Sequence, residues 1–140
     1  MKNVLIAVAL MMALVSCGGG SKKSQPAQSS NDVHTSQNSL DYEGTYIGKL
    51  PAASGGGMDV KITLTKDGTY EKEVTYEKEP HNVFETYGKF AWNSEGNTIT
   101  LEGEEKPNQY FVGENTLTHL DVNGKRIEGD LAKDYVLKKQ

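Results

Sequence analysis

The stretch PAASGGGMDV, residues 51–60, sets Ser54 beside three consecutive glycines, Gly55, Gly56 and Gly57, ahead of an alternating apolar run. A serine in such a turn suits a nucleophile, a glycine run suits a phosphate cradle, and a metal loop stripped of its ligands looks the same. Each chemistry demands more than the loop. A nucleophile elbow has glycine two residues before the serine, and Ala52 stands there. A phosphate cradle opens a helix and is followed by Lys and Ser or Thr, whereas a strand pattern begins at Met58. His81 lies beside Pro80 in a loop and His119 in a strand pattern, and neither is next to a convincing nucleophile. No acid, base and nucleophile assemble, so the expectation is a protein that is not an enzyme, with no cofactor and no metal site.

The N-terminus bears on the compartment. Residues 4–15 are almost wholly apolar after Lys2 and Asn3, too short a run for a hydrocarbon core that needs about 20 residues. This is the pattern of a signal peptide, residues 1–16. It ends in Leu14, Val15, Ser16 and Cys17, which resembles the lipobox of bacterial lipoproteins, with Cys17 as the lipid attachment site. The chain has 1 cysteine, so it forms no internal disulfide.

Lys and Arg number 15 against 19 Asp and Glu, a formal charge of −4. Nucleic acid is therefore not an expected partner, because a phosphate-binding face shows a clustered basic stripe. Residues 18–39 are rich in Gly, Ser, Gln and Asn and poor in apolar residues. Residues 17–39 thus read as a lipidated N-terminus and a disordered tether, averaging roughly 25 Å in reach. The membrane is a partner through the N-terminal lipid.

From Leu40 the pattern changes to short strands. In MDVKITLT, residues 58–65, Val60, Ile62 and Leu64 alternate with polar residues. Asp67 with Gly68 marks a hairpin turn, and Asn123 with Gly124 marks another, between THLDV and KRI. Further strands are expected at residues 42–50, 69–78, 83–93, 97–103, 109–112, 116–121 and 135–138. No segment has a long 3.6-residue apolar period. Residues 40–140 therefore read as one all-β domain, an antiparallel meander closed into a barrel or folded as a sandwich. The alternation nominates Tyr46, Val60, Ile62, Leu64, Val74, Tyr76, Phe84, Phe90, Trp92, Ile99, Leu101, Leu117 and Val136 as the core.

Continuing the inward register from Tyr70 puts Lys72 among apolar neighbours. A bulge resolves that conflict, as does an amine snorkelling at the rim or a lined cavity. Any pocket is expected to be shallow and polar-rimmed, near Lys72 and the loop of Ser54, Gly55, Gly56 and Gly57, with Tyr76, Phe90 and Trp92 as its aromatic lining. Glu71, Glu73, Glu77 and Glu79 fall on one face, read as solvated and as protection against edge pairing.

The run GKLPAASGGGMDVKITLTKDGTY, residues 48–70, resembles the N-terminal domain of the NlpE lipoprotein family, associated with copper homeostasis and envelope stress signalling. The resemblance continues through Tyr76, YGKFAW at 87–92, ITL at 99–101, Tyr110 and LTHLDVNGKRI at 117–127. It implies a small lipocalin-like β-barrel of about six to eight strands. It also implies a lipid-anchored sensor or adaptor with an envelope protein partner. A carrier of a small apolar ligand is the alternative. The family loop commonly carries Cys-x-x-Cys, and those positions here are Ala52 and Gly55, so the soft thiolates that favour Cu(I) are missing. The second domain of longer relatives is expected to be absent. Gly18 after the cysteine favours the outer membrane in lipoproteins resembling this one, and the distance to the first acidic residue, Asp32, favours its periplasmic face.

Overall fold

The computed structural model describes residues 34–140. The signal segment, Cys17 and most of the tether lie outside the described residues. Eight strands follow one another as a meander: β1 (Gly44–Pro51), β2 (Gly57–Leu64), β3 (Thr69–Tyr76), β4 (Val83–Trp92), β5 (Thr98–Leu101), β6 (Gln109–Gly113), β7 (Thr116–His119) and β8 (Val136–Lys139). Each pairs antiparallel with the next, and β8 returns to β1 through Tyr46↔Lys139 and Ile47↔Lys138, closing a lipocalin-like barrel.

The period-two alternation places one residue of each apolar pair inside. Tyr46, Leu50, Val60, Ile62, Leu64, Tyr70, Phe90, Ile99, Leu101, Tyr110, Val112, Leu117 and Leu137 form the buried cluster. Burying each aliphatic side chain contributes about 1.5–3 kcal/mol. Two expected core positions need correction. On β8 the inward residue is Leu137, fully buried opposite Leu117, and Val136 is only half-buried. Adjacent apolar residues in a four-residue strand carry no internal signal of phase, so the partner strand sets it. Phe84 shares the inward register with Val74 but is 51% exposed. Its strand outruns its neighbour there, since β4 has 10 residues and β5 only 4.

No bulge accommodates Lys72. The β2–β3 ladder runs without interruption from Met58↔Tyr76 to Leu64↔Tyr70, with Lys72 directly opposite the buried Ile62. The acidic run is not an edge device either, because β3 is flanked on both sides, by β2 and β4. Glu73 pairs with Lys61 across the sheet, and Glu77, just past β3, holds Lys49 at 2.5 Å and accepts the Gly57 N–H at 2.8 Å.

The two ends of the barrel differ. At the end holding the β2–β3, β4–β5 and β6–β7 turns, a short helix α1 (Ser36–Ser39) docks where the tether was expected to continue. Gln37 N–H donates to Gly96 O at 3.0 Å and the Ser36 hydroxyl to Val112 O at 2.7 Å, so hydrogen bonding rather than apolar burial holds this segment. Tyr42 plugs that end, edge-on to Trp92 at 5.1 Å and to Phe90 at 6.2 Å. Its carbonyl accepts the Tyr46 hydroxyl at 2.8 Å. Burial, aided by Asp41, pushes that phenol up to about 12. At the opposite end lie the longer loops, including residues 120–135. There the expected Asn123–Gly124 turn forms, but KRI makes a single bridge, Leu120↔Arg126, rather than a strand.

Candidate functional site, the open mouth of the barrel

The long-loop end holds a cavity of about 890 Å³. Met58, Tyr76 and Phe84 supply its strand wall, Pro51, Ala52, Ala53 and Ser54 its β1–β2 side, and Leu120, Val122, Ile127 and Tyr135 the facing loop. Lys78, Glu79 and Asp121 supply polar groups. Strand alternation explains the wall, because Met58, Tyr76 and Phe84 continue the inward register of β2, β3 and β4 beyond the packed core. Tyr76 and Phe84 meet edge-to-face at 5.7 Å.

His119 reaches the cavity wall from the end of β7 and is 8% exposed. Its ring is sandwiched, tilted on Tyr110 at 4.9 Å and stacked on Tyr135 at 6.3 Å. Nε2 lies 3.2 Å from Pro107 O, which can only accept, so Nε2 carries the proton and Nδ1 is left a bare, buried acceptor. Burial holds this imidazole below its ordinary range, and the Lys72 charge acts in the same direction. The histidine is thus a neutral wall residue.

Deeper in the barrel, Lys72 Nζ lies 2.5 Å from Glu104 Oε2, and Thr86 donates its hydroxyl to Glu104 Oε1 at 2.6 Å. Asn108 ties this loop down by donating to Leu101 O and Glu104 O, each at 3.1 Å. Glu104 is the partner that sequence reasoning missed. Thirty-two positions separate it from Lys72, and a carboxylate in a loop carries no alternation signal.

The nominated site residues therefore part company. Ser54 and Tyr76 line the cavity. Gly55 and Gly56 form the adjoining turn with φ of 76° and 86°, the left-handed region glycine permits, and Gly57 opens β2 opposite Pro51. Lys72 sits in the ion pair below, while Phe90 and Trp92 pack on Tyr42 at the plugged end. Of the sulfur and imidazole groups, Met58 and His119 both line the cavity and His81 does not. Among the described residues no group of three His, Cys, Asp or Glu side chains is placed to hold a metal ion.

No curated protein matches the chain. Solved structures do, two of them as follows. A protein from Shewanella oneidensis, assigned as a lipoprotein, is 44% identical with a TM-score of 0.70, over 76% of this chain and 96% of that one. The Cpx pathway activator NlpE from Escherichia coli is 26% identical with a TM-score of 0.48, over 62% of this chain and 46% of that one, about half its length. The family model described as the NlpE N-terminal domain matches residues 46–130, which run from the first core tyrosine into the loop that walls the cavity. The chain belongs to the NlpE N-terminal domain family.

Proposed function

We propose that this envelope lipoprotein of the NlpE kind is a non-catalytic, ligand-responsive sensor whose barrel mouth takes a small, mostly apolar molecule. The cavity carries the reading. Its volume of about 890 Å³ falls within the range of small-molecule sites, roughly 300–1,000 Å³, and its wall of Met, Tyr, Phe, Leu, Val and Ile is the usual lining. A cavity at the mouth favours a ligand, where a wholly filled barrel would suit an adaptor alone. Copper held by thiolates is not part of the proposal, because Ala52 and Gly55 offer no sulfur.

A fluorescent fatty-acid analogue titrated into the protein tests it. Saturable binding at micromolar concentration is expected, weakened at least about tenfold by Tyr76→Ala, which strips one wall of the cavity. Trp92 emission is expected to stay unchanged, because that indole packs on Tyr42 at the plugged end. Binding that does not saturate, or that ignores Tyr76→Ala in a folded variant, would overturn the ligand reading.

A further inference from the structure

Beside the mouth, the barrel wall is incomplete. β4 pairs with β5 only through Phe90↔Leu101, Ala91↔Thr100 and Trp92↔Ile99. One more bond follows, from Glu102 N–H to Lys89 O at 2.9 Å, and then the chain turns away at Gly103, where φ is 86°. Residues 83–88 consequently have β3 on one side and, among the described residues, no strand on the other. Phe90 N–H donates across to Gly68 O on the β3 side. The antiparallel pattern alternates, so Phe84, Thr86 and Gly88 also direct their main-chain groups to β3, and Val83, Glu85 and Tyr87 direct theirs to the open side. Among the described residues, no backbone partner meets the N–H or C=O groups of those three on that side.

We propose that residues 83–87 form a docking edge for an extended peptide strand that carries a basic residue opposite Glu85. Exposed main-chain groups along a strand are a template for a further strand. The side chains fit a partner as well: Val83 is 52% and Tyr87 64% exposed, large apolar surface at the ends of the edge. Glu85 stands between them and selects the occupant. A second copy pairing antiparallel about this edge would set Glu85 against Glu85, and like charges directly opposite are destabilising. Glu71 and Glu73 on the neighbouring strand add their charge near Tyr87, and Glu102 and Glu105 stand exposed on the far side of the gap, with Lys106. The edge is thus guarded against itself and complementary to a cationic strand. The Glu104 carboxylate is not part of this edge, because Lys72 and Thr86 hold it.

Amide hydrogen exchange on the full chain in nonionic detergent tests this, with a nine-residue peptide of alternating threonine and valine bearing a central lysine as the probe. The Val83, Glu85 and Tyr87 amides should exchange at least about tenfold more slowly with peptide, while Phe84 and Thr86 are protected throughout. A glutamate-centred peptide should give no protection, and Glu85→Lys should invert the preference between the two peptides. Unchanged exchange at the three amides, equal protection by both peptides, or protection that grows with protein concentration alone would each overturn the proposal, the last in favour of self-pairing. Fatty-acid binding in the cavity is read separately, so failure of one proposal leaves the other standing.

Discussion

Lys72 and Glu104 meet at 2.5 Å inside the barrel, their side chains 17% and 9% exposed, joining the middle of β3 to the loop between β5 and β6. The amine occupies an inward position that alternation reserves for an apolar side chain, and the carboxylate compensates it. Removing one partner leaves the other charged and poorly solvated, which in a fully buried pair costs about 3–5 kcal/mol and at the surface less than about 1.

The partial exposure of this pair sets its expected cost between those limits. Lys72→Met or Glu104→Leu alone should destabilise the domain by about 1–3 kcal/mol, and the two together by less than either. Urea unfolding of the three variants gives the cycle. Additive losses would show that the two charges do not act as a pair.

His119 should make stability depend on pH. Its folded pKa lies below the ordinary 6.5 because burial disfavours the imidazolium. The unfolded chain therefore takes up the proton first as pH falls through about 6.5, so this contribution is full above that pH and is lost below it, until the folded histidine itself protonates. Urea unfolding between about pH 7.5 and 5.5 should show falling stability, and His119→Phe, which keeps a ring between Tyr110 and Tyr135, should flatten the slope. An unchanged slope in the variant would assign the effect to other groups.

Cys17 gives the third expectation. As the proposed lipid anchor, it should carry acyl chains in mass spectra of the membrane fraction, and Cys17→Ser should release the protein or leave it unprocessed. Several acyl chains make a stable anchor where one is marginal. Recovery of the wild-type chain as soluble, unmodified protein would remove the anchor from the proposal. Thr35, Ser36 and Gln37 dock at the plugged end of the barrel.

Alternation in runs such as MDVKITLT, with Asp67–Gly68 and the other glycine turns, determined that the domain from residue 40 is all-β, roughly where most of its strands fall, and most of its core. These are local properties, since a strand with one wet and one dry face writes its period into its own residues. The loop of Ser54 and its glycines was legible as a turn for the same reason. What only the tertiary structure decided depends on which strands become neighbours and how far each extends. Leu137 is inward because Leu117 faces it, and Lys72 is tolerated because Glu104, distant in sequence, reaches it. Phe84 and Tyr76 border a cavity while Phe90 and Trp92 are packed, although all four share the inward register, because Tyr42 fills one end of the barrel and, among the described residues, no side chain fills the other. The open edge of β4 arises from a mismatch in length between two strands, 10 residues against 4, that becomes a gap only once the strands are laid side by side.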